Sequence, residues 1–120
     1  MKKRIVILGS TGSIGKQTIQ ILKKDKKNFL VDLLLANSNI KLLSKQIKEF
    51  KVKNIIVKDY KSYLILKKKF KNLNISNNIN DVDKLIKGKV DYTMSAVSGL
   101  EGLSPTLRII KKTKSIAIAN

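Results

Sequence analysis

Four consecutive apolar residues, Ile5-Val6-Ile7-Leu8, stand behind a basic tip and run straight into Gly9-Ser10-Thr11-Gly12-Ser13-Ile14-Gly15. A short continuous apolar run bounded by turn residues reads as a strand buried on both faces. A helix from about Ile14 to Lys24 follows, apolar at Ile14, Ile19, Ile21 and Leu22, and then a second strand from Phe29 to Ala36. Ile40, Leu43, Ile47 and Phe50 recur at spacings of 3, 4 and 3, one face of a helix whose other face carries Lys41, Lys45 and Lys48. Asn54 to Val57 reads as a third strand and Tyr60 to Phe70 as a lysine-coated helix. The asparagine-rich stretch from Asn72 to Asn80 holds a short strand near Leu73 to Ile75. Asp81 to Lys87 then has a helical spacing, with Val82, Leu85 and Ile86 inward and Gly88 as its C-cap. Val90 to Ala96 is a strand. Ser104-Pro105 predicts an N-cap with proline at the first helical position, a helix to about Lys112 with Leu107 and Ile110 inward, and Ser115 to Ala119 closes with a strand.

Strands alternating with helices of this length imply right-handed crossovers and a mostly parallel sheet covered on both faces. The fold class is therefore α/β, doubly wound and Rossmann-like. No internal repeat and no Pro/Gly/Ser-rich linker divides the chain, so residues 1–120 are expected to form a single domain. The last predicted strand runs to Asn120 with no element after it, and the sequence reads as cut short there.

Composition narrows the chemistry. Without cysteine or histidine the chain has no disulfide framework, no Cys/His zinc site, no Cys nucleophile and no Ser-His-Asp triad. Its longest apolar runs are far short of the ~20 residues that cross a bilayer, and a cytoplasmic location is expected. A net charge of +18 invites a nucleic-acid partner. The detail argues against one: only Arg4 and Arg108 are arginine, aromatics are scarce, and the lysines are spread over the whole length. The excess of Lys, Ile and Asn matches the codon bias of an A/T-rich genome. Asp81, Asp83 and Asp91 fall in a helix start and a strand and make no metal constellation, so no metal site is expected in this chain.

The sharpest local signal is the glycine loop between a buried strand and a helix. The first glycine permits a tight bend, the second lets backbone N–H groups approach a pyrophosphate, and the third lets the helix pack on the strand. The helix amino end then faces the anion, and Ser10, Thr11 and Ser13 offer hydroxyl donors. The spacing G-x-x-G-x-x-G and the missing G-K-[ST] exclude a Walker A loop, which leaves Lys16 as a surface residue. Folds that choose NAD usually place an acid at the end of the second strand. Here Ala36-Asn37-Ser38-Asn39 stands there, with Lys41 beyond it, so NADP fits better. Asn39 could alternatively serve only as a helix N-cap. These turns, Ser98 to Gly102 and Asn120 all fall at the carboxyl ends of strands, where ligands of open α/β sheets bind.

Ile7 to Gly15, the block Val90-Asp91 to Met94-Ser95-Ala96, Gly99-Leu100-Glu101-Gly102-Leu103 with Pro105-Thr106-Leu107, and Ile118-Ala119-Asn120 together resemble the 1-deoxy-D-xylulose 5-phosphate reductoisomerase family. The resemblance implies an NADPH-dependent oxidoreductase of the methylerythritol phosphate route to isoprenoid precursors. Such an enzyme rearranges 1-deoxy-D-xylulose 5-phosphate, a phosphorylated sugar, and reduces the product to 2-C-methyl-D-erythritol 4-phosphate. It implies Mg or Mn held by residues outside this chain, a homodimer, and no catalytic residue within residues 1–120. It further implies cofactor contacts at Thr11, Gly12, Ser13 and Ile14, a 2′-phosphate border at Asn37, Ser38 and Asn39, and another contact at Asn120. Where Asn37 and Ser38 stand, the family often has glycine and a basic residue. A different class of function, a stand-alone nucleotide-binding module with a basic RNA-holding surface, is the competing expectation.

Overall fold

The computed structural model describes residues 2–97 and 102–119. Among these residues six strands form one sheet: β1 (Lys3–Leu8), β2 (Phe29–Ala36), β3 (Asn54–Val57), β4 (Asn74–Ser76), β5 (Val90–Ser95) and β6 (Thr113–Ile118). Every neighbouring pair is parallel and the order is β4-β3-β2-β1-β5-β6. The helices are α1 (Ser13–Lys23), α2 (Ile40–Phe50), α3 (Tyr60–Lys69) and α4 (Leu103–Ile110), with 3-10 turns at Lys26–Asn28 and Ile79–Asp81. The chain winds outward from β1 to β4 and then returns to place β5 on the other side of β1, so the winding reverses between β1 and β5.

Side chains of the central strands alternate between two buried layers, which is why they read as continuous apolar runs. Ile5, Ile7, Val31, Leu34, Ile55 and Val57 meet Ile19 and Leu22 of α1, Leu43, Ile47 and Phe50 of α2, and Leu66 of α3. Val6, Leu8, Leu33, Leu35 and Ile56 meet Ile109 of α4 together with Val82 and Ile86. Each fully buried Leu or Ile contributes about 1.5–3 kcal/mol, so these two layers hold the sheet. A groove lined by Ile21, Leu22, Tyr92, Met94 and Ser115 runs beside α1 over β5 and β6.

The β1/β2 register shifts between Ile5 and Val6: Ile5 pairs with Val31 but Val6 pairs with Leu33, which leaves Asp32 as an extra residue. Asp32 Oδ2 accepts from Arg4 Nε at 2.6 Å, while the two terminal nitrogens of Arg4 donate to the carbonyls of Lys89 (3.1 Å) and Lys87 (2.7 Å). The Arg4 backbone N–H donates to Asp91 Oδ2 at 2.8 Å. That bond is the main reason the Asp91 carboxyl lies below its ordinary value of 3.8. One arginine thus fastens the amino-terminal ends of β1 and β2 to the segment entering β5.

Two local expectations are corrected. Residues 81–87 form turns rather than a helix, although Val82 and Ile86 are buried as their spacing suggested. The Asp81 carboxylate accepts from the Ser76 hydroxyl at 2.7 Å and pins the start of this segment to β4. Gly88, with φ +66°, serves a turn and not a helix end. In α4, Gly102 is the N-cap, and Pro105 is the third helical residue, where its missing N–H is one of the orphan donors in any case. The Ser104 hydroxyl donates to Asn80 Oδ1 at 2.6 Å instead of capping. That start rotates the helix, so Pro105, Thr106 and Ile109 are buried whereas Leu107 and Ile110 are 54% and 45% exposed.

Candidate functional site

The loop after β1 turns on Gly9, whose φ is +89° and whose missing Cβ would lie 2.9 Å from the Ala96 carbonyl oxygen. Only glycine meets both demands. The N–H groups of Gly9 and Ser10 both donate to the Leu35 carbonyl, at 2.7 and 3.1 Å, tying the loop to the end of β2. At Gly15 a Cβ would stand 2.0 Å from the Gly9 carbonyl oxygen, so α1 packs directly on the loop. Gly12 differs from both. Its φ is −78°, a Cβ there meets nothing nearer than the Gly9 carbonyl oxygen at 3.7 Å, and it caps α1 with no side-chain hydrogen bond. No side chain caps the first N–H groups of α1, and the space around Gly12 is open, the arrangement that receives an anion at a helix amino end. Thr11, Gly12, Ser13 and Ile14 line that space and are at least partly exposed. Ser10 does not join them: it is 0% exposed, and its buried hydroxyl cannot serve a ligand.

Asn37, Ser38 and Asn39 form an exposed turn at the end of β2. Asn39 is the N-cap of α2, its side-chain oxygen accepting from the Leu42 N–H at 3.2 Å. Its cap role thus commits the carbonyl end of that side chain. The Asn37 carbonyl accepts from the Asp59 N–H at 2.9 Å, and the Ser38 carbonyl lies 3.3 Å from the Ser62 hydroxyl. Asp59 in turn accepts from the Ser62 hydroxyl (2.7 Å) and N–H (3.0 Å), which together hold its carboxyl below the ordinary range. The Ser38 and Asn39 carbonyls also accept from the Ile40 and Leu43 N–H groups of α2; no acidic side chain stands in residues 36–41, and Lys41 is exposed.

Strand register brings the two turns to one rim. Leu8 pairs with Leu35 on one side and Ser95 on the other, Ala36 pairs with Val57, and the Ala119 N–H donates to the Ser95 carbonyl. The rim coincides with the reversal of winding between β1 and β5, where ligands of open α/β sheets bind. Ser98 to Glu101 and Asn120, expected at the same place, lie outside the described residues, and Gly102 closes against the Val97 carbonyl. Two supporting contacts escaped the sequence reading. Gln46 of α2 donates to the Ser10 carbonyl at 2.9 Å, and Asp59 with Ser62 braces the turn at 37–39. A polar residue interrupting an apolar stripe signalled the first, and the Asp59-x-x-Ser62 capping spacing signalled the second. Among the described residues no three acidic side chains gather as metal ligands. An open, uncapped helix amino end beside a glycine free of steric contact, with a neutral turn in line with it on the next strand, fits a dinucleotide whose ribose carries a 2′-phosphate.

Comparison with known proteins agrees. The sequence model of the family described as 1-deoxy-D-xylulose 5-phosphate reductoisomerase matches residues 5–120. The reductoisomerase of Pelagibacter ubique (strain HTCC1062) is 52% identical over 98% of this chain, and that of Thermoanaerobacter pseudethanolicus is 41% identical over 98%. Among solved structures, the reductoisomerase from Zymomonas mobilis in complex with NADPH superposes with a TM-score of 0.89 at 30% identity over the whole of this chain. A reductoisomerase in complex with NADPH, fosmidomycin and magnesium superposes with a TM-score of 0.85 at 27% identity over 98% of it. The chain spans 31% of the length of those two curated relatives and 30–32% of those two solved chains. Its six parallel strands and its matched sequence place it in the 1-deoxy-D-xylulose 5-phosphate reductoisomerase family.

Proposed function

We propose that this chain is the NADPH-binding portion of a reductoisomerase that converts 1-deoxy-D-xylulose 5-phosphate to 2-C-methyl-D-erythritol 4-phosphate. The observation that carries the reading is the uncapped amino end of α1 beside an unobstructed Gly12 at the winding reversal. The backbone N–H groups of Thr11, Ser13 and Ile14 hold the pyrophosphate over Gly12, whose own N–H donates to the Gly9 carbonyl, with the Thr11 and Ser13 hydroxyls as further donors. Asn37, Ser38 and Asn39 border the 2′-phosphate, and Lys41 adds a positive charge near it. Asn120 is a further cofactor contact on the same reading. When bound, NADPH supplies the hydride that reduces the rearranged aldehyde, and the contribution of these residues is to fix its position.

The carboxylates that hold Mg or Mn and the groups that hold the substrate phosphate belong to the two-thirds of the relatives' length that this chain does not span. No residue of the chain is assigned a catalytic role. The full enzyme works on this reading as a cytoplasmic homodimer on a phosphorylated sugar; no helix among the described residues is long and apolar enough to cross a membrane.

The test is titration of the purified chain with NADPH followed by assay with 1-deoxy-D-xylulose 5-phosphate and magnesium. Saturable NADPH binding, tighter than NADH, with no turnover is expected. Absence of NADPH binding overturns the reading, and salt-sensitive RNA binding in its place supports a basic nucleic-acid module.

A further inference from the structure

Gln46 sits in the second turn of α2 on the stripe formed by Leu43, Ile47 and Phe50, and it is only 4% exposed. An aliphatic side chain would fill that place without burying an amide, and burying an amide is costly unless its bonds are made. Half of this amide is spent on one bond: Nε2 donates to the Ser10 carbonyl at 2.9 Å, while Oε1 has no partner among the described residues. The amide is placed for that one bond, which runs from α2 to the glycine loop.

The geometry points to Gln46 as a positioning residue that aims the glycine-rich loop at the dinucleotide phosphates and fixes the loop's distance from the adenosine end; the inference rests on the NADPH-binding reading above. In a planar trans peptide the carbonyl of one residue and the N–H of the next point in opposite directions. Drawing the Ser10 carbonyl inward toward Gln46 therefore turns the Thr11 N–H outward, toward the open space before α1. The two peptide units before it are held as well, because the Gly9 and Ser10 N–H groups donate to the Leu35 carbonyl. Helix α2 links the two half-sites. Its N-cap, Asn39, ends the turn that faces the 2′-phosphate, and Gln46 lies about 10 Å further along the helix axis at ~1.5 Å per residue. A single rigid element thus carries the adenosine-end turn at its tip and the loop's brace along its side.

The experiment replaces Gln46 in the 120-residue chain with Met, and separately with Leu, neither of which can donate. NADP⁺, which meets both half-sites, and adenosine 2′-monophosphate, which lacks the 5′-phosphate and meets only the turn at 37–39, are titrated by isothermal calorimetry and NMR. NADP⁺ affinity is expected to fall about tenfold, the loss of one well-placed buried hydrogen bond, with adenosine 2′-monophosphate affinity within twofold and an unchanged folded NMR spectrum. A merely structural role would weaken both ligands together. Equal weakening of both, or unchanged NADP⁺ affinity in folded variants, overturns the proposal while leaving the cofactor reading intact. Failure of the unsubstituted chain to bind NADP⁺ overturns both.

Discussion

Arg4 and Leu8 lie four residues apart on one strand, yet the sheet is held differently around each. Near Arg4 the strands are fastened by charge: a guanidinium meets Asp32 and two carbonyls, and Asp91 accepts from the Arg4 N–H while pairing with Lys114 at 3.4 Å. Beyond Leu8 the fastening is done by backbone groups and by absent side chains, with Gly9 and Ser10 sharing the Leu35 carbonyl and Gly15 pressed on Gly9. A charged clamp tolerates small displacements because long side chains adjust. Backbone fitted against backbone does not. The end that must present amides to a ligand is thus built from the less forgiving kind of contact, and its substitutions should be felt in binding as well as in stability.

The severest break should come at Gly15. Gly15→Ala places a methyl 2.0 Å from the Gly9 carbonyl oxygen, and prising helix from loop should cost about 3 kcal/mol and eliminate NADPH binding. Thermal unfolding and calorimetry read both losses. Gly12→Val should separate the two effects: with φ −78° and open space around it the fold is expected to survive, while a branched side chain fills the pyrophosphate position and lowers NADPH affinity at least a hundredfold, about 2.7 kcal/mol. Unchanged affinity in a folded Gly12→Val chain would remove the phosphate site from α1.

Arg4→Met probes the opposite end. It strands the half-buried Asp32 carboxylate and should destabilise the chain by about 2 kcal/mol, with the NADPH dissociation constant of the folded protein moving less than twofold. A large change in affinity would mean that the two ends are not separable. Ser38→Asp is the mildest test and concerns cofactor choice. Like charges ~4 Å apart at an effective dielectric of ~20 repel by ~4 kcal/mol before screening, so the NADPH-to-NADH preference should drop about tenfold at this exposed position. Lys41 offsets part of that. Equal responses by the two cofactors would show that Ser38 faces away from the 2′ position.

Much of this was readable from the chain because burial on both faces leaves unmistakable apolar runs: β1, β2 and β3 and the stripe of α2 follow directly. The glycine loop was legible for a related reason, since close backbone approach admits only one residue type. The failures share a cause as well. Residues 81–87 carry an inward spacing that turns satisfy as readily as a helix does, and the phase of α4 depends on where its first turn begins. There a bond from Ser104 to Asn80, 24 residues away, replaces the local cap that the sequence suggested. Ser10 looked like a phosphate donor because composition cannot tell which way a hydroxyl points, and Gln46 and Ser62 reach partners distant in sequence, Ser10 and Ser38.

The extra residue in β2 bears on how this family can change length. On either side of Asp32 the pairing is regular, Ile5 with Val31 and Val6 with Leu33, and each pair shares a face of the sheet. A chain lacking Asp32 would pass from Val31 to Leu33 with no interruption, every later side chain keeping its face and the turn at 37–39 keeping its place beside the glycine loop. Deletion there would forfeit a partner of Arg4 and nothing at the rim. A single-residue gap in an aligned relative at this point is therefore structurally silent for the ligand, whereas a gap at Leu33 would bring the Asp32 carboxylate into the buried position opposite Val6.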